Sequence, residues 1–171
     1  MSIEIDDAKF HQILDIAAGN QRIKPGEIRA VVQLAQLAAS IDLDEDPAER
    51  TLVQVLTYRL CAWSGVARNS IPPLSPVPTD AEERAARLAM LAQQLRTSAA
   101  RDLAFVLAYL VIVVDLELSP VESDLLEQLP HVLAIPSARA SELIDAIAWI
   151  VTPEEPPAPE PDWADRAPGP L

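Results

Sequence analysis

LAFVLAYLVIVV, the stretch Leu103–Val114, places twelve apolar residues in succession. This run is too short for a membrane span, which needs about 20 residues. Five of its residues are Val or Ile, so a buried strand is the alternative interpretation. Ser98 can cap a helix ahead of the run, and Ala104 and Ala108 within it favour a helix. We therefore predict a central helix that is apolar on all sides because other helices surround it.

Six further segments carry apolar residues at the spacing of an amphipathic helix, each behind a start signal. Proline suits the first helical position because its missing N–H needs no partner there. The start signals are Asp6 or Asp7, Pro25, Asp46-Pro47, a Thr79/Glu82 capping box, a Ser119/Glu122 capping box and Ser137. The sequence therefore predicts an all-α fold of about seven helices in a compact bundle.

Three residues give further detail to these predicted helices. Trp63 shares the period of the third helix and is predicted on its buried face. Gly65 is predicted to end that helix, because glycine readily adopts a positive φ. Pro130 lies within the period of the sixth helix and is predicted to kink it or end it early.

Two proline-rich segments divide the chain. Residues 66–78 contain four prolines and no helical period, which predicts a linker inside a helical domain of residues 1–151. Residues 152–171 contain seven prolines and carry a charge of −4, leaving −9 on the rest of the chain. Because so polar a segment buries little apolar surface, we predict a disordered acidic tail.

The charge balance narrows the classes of partner. The chain has 26 acidic and 13 basic residues, for a net charge of −13. Nucleic-acid binding requires basic groups that displace phosphate counterions, so no nucleic-acid partner is expected. No segment is predicted to insert into a membrane. The single cysteine, Cys61, is predicted to be a buried thiol, and the first ten residues lack signal-peptide features. A cytoplasmic protein is expected.

Two turns echo each other at a constant offset of 95 residues, Gly19–Glu27 and Val114–Glu122. In this register Pro25 matches Pro120, and an apolar helix precedes each turn. The echo predicts two pseudo-repeated halves related by a pseudo-two-fold axis, with Pro25 and Pro120 both opening helices.

The second of these turns, DLELSPVE at Asp115–Glu122, resembles the signature of the tellurite-resistance TerB-like family. In that family an apolar helix leads into an Asp-Gly-x-Ile/Leu-Ser/Thr-x-x-Glu turn, and an amphipathic helix follows. Leu116 stands where the family usually has glycine. The resemblance covers Phe10–Trp63 and Asp80–Val151. It implies an all-helical protein with a role in stress or metal response.

Asp115, Glu117 and Glu122 are the candidate metal ligands. Carboxylates at a tight turn can converge on a hard cation such as Ca²⁺ or Mg²⁺. The family resemblance implies the same, because the family's acidic cluster is regarded as a divalent-metal site. The alternative is local: Glu122 closes a capping box with Ser119, Asp115 caps the turn and Glu117 stays in solvent.

Catalytic motifs are lacking from the sequence. His11 and His131 have no companion at metal-ligand or catalytic-triad spacing, and the four glycines form no phosphate-binding loop. Asp42–Asp46 resembles a calcium loop but lacks the glycine and glutamate that an EF-hand requires. The sequence therefore predicts a protein without enzymatic activity.

Trp163 is the one aromatic residue of the tail, in the sequence PDWADR. Such a residue can anchor a short segment in a partner's pocket, or it can fold back onto the helical body. We therefore predict a non-enzymatic, cytoplasmic helical module that acts through a protein partner. The alternative is a divalent-metal sensor or buffer that uses the Asp115–Glu122 turn.

Overall fold

Seven α-helices follow one another in the computed structural model, which describes residues 5–42, 47–73, 76–114 and 118–152. They are α1 (Asp7–Ala17), α2 (Pro25–Ala38), α3 (Pro47–Ser64), α4 (Ala81–Gln94), α5 (Ser98–Ile112), α6 (Pro120–Val132) and α7 (Ser137–Val151). No strand occurs in the described ranges, so the predicted all-α class is confirmed. None of the helices in these ranges is long and apolar enough to cross a membrane. Of the predicted tail, residues 152–171, only Thr152 lies within them.

Helix α5 lies at the centre, and α1, α2, α3, α6 and α7 all pack against it. Its leucines, Leu103, Leu107 and Leu110, are at most 1% exposed. Thr97 caps the helix, because its Oγ1 accepts a hydrogen bond from the Ala100 N–H at 3.2 Å. The prediction of a buried central helix is confirmed. The run is apolar on all sides because every face of α5 meets another helix.

Several details of the helix ends differ from the sequence predictions. Asp80, and not Thr79, caps α4, because its carboxylate accepts hydrogen bonds from the N–H groups of Glu82 and Glu83. Ser137 is the first residue of α7 and does not cap it. Trp63 is 39% exposed, so its predicted burial is wrong. The buried face of α3 is formed by Leu52, Val53, Leu56, Leu60 and Cys61.

Prolines mark both ends of α6. Pro120 opens the helix, and Ser119 and Glu122 form the predicted capping box. Pro130 lies inside the helix, which ends two residues later at Val132. The end itself is formed by Ala134, which takes a φ of +53°, and by the Ile135 N–H, which donates to the Pro130 carbonyl oxygen at 2.8 Å. A kink or early end caused by Pro130 stays a prediction.

The two echoing turns share a local structure, but the packing of the helices that follow them differs. Pro25 opens α2 as Pro120 opens α6, which confirms that part of the prediction. Glu27 and Glu122 are both buried, and both accept a hydrogen bond from the N-cap backbone N–H. However, α2 packs extensively along α5, whereas α6 and α1, the pair that corresponds to them in this register, do not pack extensively on each other. The described helices therefore give no support to a pseudo-two-fold relating two halves.

The predicted linker, residues 66–78, is fastened to the helices on either side. Val66 is buried, and a 3-10 turn follows at Arg68–Ser70. Arg29 of α2 donates a hydrogen bond from Nε to Ser70 Oγ at 3.3 Å. Arg87 of α4 donates from Nη1 to the carbonyl oxygen of Pro76 at 2.9 Å. These bonds hold the described parts of the linker, residues 66–73 and 76–78, against the bundle. Residues 74–75 lie outside the described residues.

Gly65 is predicted to be the costlier of two glycines to replace. It ends α3 with a φ of +72°, a conformation that places a Cβ against the following carbonyl in L-residues. We expect Gly65→Ala to lower the free energy of unfolding by about 1–2 kcal/mol. Gly26 is the matched control, because it has no such φ and nothing lies within 4 Å of an added Cβ.

Gly26→Ala is expected to leave stability unchanged or to raise it by up to about 1 kcal/mol, because alanine reduces the entropy of the unfolded chain. Urea unfolding of the two variants and the wild-type protein measures both effects. Equal losses in the two variants would contradict the role assigned to the backbone of Gly65.

Candidate functional site

Glu122 is the one predicted metal ligand within the described residues. Its carboxylate accepts a hydrogen bond from the Ser119 N–H at 2.7 Å, and Ser119 Oγ accepts one from the Glu122 N–H at 3.3 Å. This is the local capping box that the sequence left open as an alternative. Asp115 and Glu117 lie outside the described residues.

In the described ranges, no three His, Cys, Asp or Glu side chains come together as a metal site. Binding of Ca²⁺ or Mg²⁺ at the Asp115–Glu122 turn therefore stays a prediction. Trp163, the predicted partner anchor, also lies outside the described residues.

Glu27 is a buried carboxylate whose role the sequence did not reveal. Its Oε2 accepts from the Lys24 N–H at 3.1 Å, within its own helix start. Its Oε1 accepts from the N–H groups of Arg96 and Thr97, at 2.9 and 2.8 Å, and from Thr97 Oγ1 at 3.0 Å. Glu27 thus joins the starts of α2 and α5. A charged, fully bonded carboxylate in this position serves the fold and is not free to bind a ligand.

Hydrogen bonds hold the pKa of Glu27 below its ordinary value. Burial alone would raise the pKa, because it disfavours the charged form. The donors from Thr97, Lys24 and Arg96 stabilise the carboxylate and outweigh that effect. Glu27 is therefore ionised at neutral pH.

One cavity, of about 460 Å³, lies where the end of α1 meets the starts of α5 and α7. Both of its arginines already donate hydrogen bonds to the protein. Arg139 Nε donates to Asp102 Oδ2 at 2.9 Å, and Arg139 Nη2 donates to the Ile16 carbonyl oxygen at 3.2 Å. Arg101 Nε donates to the Leu95 carbonyl oxygen at 2.9 Å. Because these cations are engaged, the cavity fastens three helices and has little capacity to recognise a charged ligand.

A second cavity, of about 390 Å³, opens beside α3 between α2 and the 3-10 turn. We call it the α3 cleft. Its volume falls in the range of binding pockets for small molecules or short peptide segments. The residues that line it are Gln36, Thr57, Arg68, Asn69, Ile71, Pro72 and Pro73.

Gln36 gives the α3 cleft an unfilled hydrogen-bonding position. In the part of the chain that the structure describes, its Oε1 is the buried side-chain polar atom without a hydrogen-bond partner. Leaving a buried acceptor unpaired costs about 1–3 kcal/mol. Gln36 also lines the cleft, so its side chain can turn to present Oε1 to a group that donates a hydrogen bond there, which recovers this energy.

Arg68 supplies the charge of the cleft. Its guanidinium carbon lies 5.7 Å from the centroid of the Tyr58 ring, at the distance of a cation–π contact. Tyr58 is 60% exposed and does not itself line the cleft, so this contact leaves Arg68 open to solvent. Within the described residues Arg68 forms no ion pair. The cleft therefore has a positive charge available to an acidic group, on a chain that is acidic as a whole.

Cys61 lies next to this region but is not suited to nucleophilic chemistry. Burial raises the pKa of its thiol, and the nearby charge of Arg68 only partly offsets the rise. The thiol is therefore protonated at neutral pH, and the thiolate is the reactive form. This places Cys61 in the core, as the sequence predicted.

Neither Gln36 nor Arg68 was predicted from the sequence as a site residue. One signal was present for Gln36, which interrupts the apolar stretch of α2 between the buried residues Ala35 and Leu37. A polar side chain in such a position needs a buried partner, but its identity depends on the segment that packs there. Arg68 carried no comparable signal.

No family model, no curated protein and no solved structure matches this chain. The resemblance to the TerB-like family therefore depends on the Asp115–Glu122 turn and the helices around it, and it stays a prediction.

Proposed function

We propose that this protein is a non-enzymatic interaction module that binds an extended segment of a partner protein in the α3 cleft. The observation that carries this proposal is Gln36 Oε1, a buried acceptor left without a partner among the described residues. An N–H group from the partner supplies the missing donor. The cleft also has the volume to take one large side chain with its neighbouring backbone.

The other lining residues favour a particular kind of segment. Ile71, Pro72 and Pro73 provide apolar surface for an aromatic or aliphatic side chain. Arg68 favours an acidic residue beside it. The preferred ligand is thus an extended segment in which an apolar residue, best a tryptophan with its N–H, lies next to carboxylates.

Three further parts of the proposal rest on the sequence. The absence of enzymatic activity is supported by the lack of a catalytic motif along the chain. A cytoplasmic location is supported by Cys61, a buried free thiol and the chain's only cysteine. A role in stress or metal response is supported by the resemblance of Asp115–Glu122 to the TerB-like signature.

A peptide-display selection against the full-length protein tests the proposal. We expect enriched peptides to combine an aromatic residue with acidic neighbours. Their affinity is expected to fall at least tenfold for Gln36→Leu and for Arg68→Glu. Tenfold is about 1.4 kcal/mol, within the range for one hydrogen bond to a charged or buried group. Fluorescence polarisation of a labelled peptide measures these affinities.

Arg22→Glu is the matched control for charge. Arg22 is exposed in the turn between α1 and α2 and does not line the α3 cleft, and its replacement changes the net charge by the same amount. Peptide affinity is expected to change less than twofold in this variant. The proposal fails if no peptide is enriched, or if Arg22→Glu weakens binding as much as Arg68→Glu does.

A further inference from the structure

We infer that the chain's own C-terminal tail occupies the α3 cleft, with Trp163 in the position of the partner's apolar side chain. This inference rests on the proposed function, because it assigns an occupant to the same cleft. The tail, residues 153–171, lies outside the described residues, and its reach and chemistry are known from the sequence. A tail that occupies the cleft competes with the partner protein for the same site.

The chemistry of Trp163 matches the unfilled position in the cleft. The indole N–H is a donor with no acceptor function, and a buried tryptophan needs an acceptor. Gln36 Oε1 is a buried acceptor without a partner among the described residues. The flat indole ring also suits the apolar surface of Pro72 and Pro73, which line the same cleft.

The residues around Trp163 match the charge of the cleft. Asp162 and Asp165 lie on either side of the tryptophan along the chain. Arg68, which lines the cleft and forms no ion pair among the described residues, provides the complementary cation. The rest of the acidic body repels a tail of charge −4, so a cleft with an available arginine is favoured over other surfaces.

The packing of α7 on α1 indicates where the tail begins. Arg139, near the beginning of α7, is bonded to Ile16 at the end of α1, and the two helices pack together. Helix α7 therefore runs back towards the start of α1. There Asp7 forms an ion pair with Arg59, the residue after Tyr58 in α3. The end of α7 is thus directed towards the contact between α1 and α3, and the tail passes around α3 to reach Thr57 and the cleft.

The length of the tail is sufficient for this contact. Trp163 follows Thr152 by eleven residues, which span up to about 36 Å when extended. A body of roughly 150 residues has a radius of gyration of about 15 Å. A body with that radius of gyration is roughly 39 Å across, so a tail that begins beside the contact between α1 and α3 needs to cross only part of it to reach the cleft.

Binding of a labelled peptide of residues 153–171 to the full-length protein tests the inference. We expect the peptide to bind Trp163→Ala, whose own tail no longer competes, and to bind the wild-type protein about tenfold more weakly. This factor follows for a peptide with a Kd of roughly 0.1 mM and a tethered tail at an effective concentration of about 1 mM. Fluorescence polarisation measures both affinities.

Two controls connect the signal to the cleft. Trp149→Ala removes a different tryptophan, which is exposed and does not line the cleft, and is expected to leave the affinity of the wild-type protein unchanged. Adding Arg68→Glu to Trp163→Ala is expected to reduce binding at least tenfold. A peptide with Asp162→Lys and Asp165→Lys is expected to restore most of that loss, because the charges on both sides are then reversed.

A second measurement does not depend on the added peptide. The side-chain amide resonances of Gln36 in the full-length protein are expected to differ between the wild type and Trp163→Ala, and to be the same in the wild type and Trp149→Ala. If the Gln36 resonances are the same in the wild type and in both variants, the inference is overturned.

The outcomes separate the inference from the proposed function. If display-selected peptides bind in the cleft but the tail peptide does not bind Trp163→Ala, the inference fails and the proposed function stands. If neither kind of peptide binds, both fail. A dimer that the wild-type protein forms and Trp163→Ala does not form would mean that the tail fills the cleft of a second copy. That result overturns occupation of the cleft by the chain's own tail.

Discussion

The Glu27→Ala variant is expected to lose about 3–5 kcal/mol of unfolding free energy. Glu27 is 4% exposed, and its carboxylate accepts four hydrogen bonds, from Lys24, Arg96 and Thr97. A hydrogen bond to a charged group contributes about 1.5–3 kcal/mol, and each buried donor left unpaired adds a penalty. The total is smaller than the sum of these values, because the donors are neighbours and relax together. Chemical denaturation followed by circular dichroism measures the loss.

Glu122→Ala is the matched control. Glu122 occupies the equivalent position 95 residues later and is also buried, but its described hydrogen bond is the local one from Ser119. Removing a capping interaction costs about 0.5–2 kcal/mol. The difference in unfolding free energy between the two variants therefore measures the contribution of the hydrogen bonds that join α2 to the start of α5. Equal losses would show that Glu27 acts only within its own helix start.

The contribution of Glu27 also depends on pH. Its pKa in the folded protein is lowered, so the unfolded state binds the proton more tightly. The stabilisation is fully present above the ordinary glutamate pKa of about 4.3 and is lost as the pH falls through the folded pKa. We expect the stability difference between the wild-type protein and Glu27→Gln to shrink on acidification below about pH 4.3. A difference that stays constant from pH 7 to pH 3 would contradict this.

Leu107→Ala is expected to lower the unfolding free energy by about 2–5 kcal/mol, the range for truncating a leucine in a packed core. Leu107 is 1% exposed in the middle of α5, and helices surround it on several sides. The loss combines the lost burial of apolar atoms with the cavity that the rigid neighbours cannot fill. Urea unfolding with a circular dichroism readout measures it.

Leu118→Ala makes the same chemical change at a site that is 52% exposed. It is expected to change the unfolding free energy by less than about 0.5 kcal/mol. A large loss in both variants would mean that the denatured state, and not the core around α5, controls the result.

Local sequence patterns were sufficient for the helices and several of their ends. The starts of α2 and α6 followed from Pro25 and Pro120, because proline at the first helical position needs no N–H partner. The end of α3 followed from Gly65, which takes the positive φ. The burial of α5 followed from an apolar run without a polar face. Each of these signals depends on residues within a few positions of each other.

Trp63 shows where such patterns stop being sufficient. It has the period of the buried face of α3, yet it is 39% exposed. Periodicity predicts the direction in which a side chain points, but burial also requires that a neighbouring helix packs at that position along the helix axis. The start of α4 is a second case, because Thr79 and Asp80 are both good caps and only the backbone geometry selects Asp80.

The sequence by itself determined the all-α class, the central position of α5 and the chemistry of the tail, because propensity, period and charge are local properties of the chain. The tertiary structure alone decided that Glu27 bonds residues 69 and 70 positions away, and that Gln36 lies with Arg68 and two prolines in one cleft. Such contacts depend on the orientation and depth at which helices pack. These are set by the sum of many weak side-chain contacts, which no single stretch of sequence encodes.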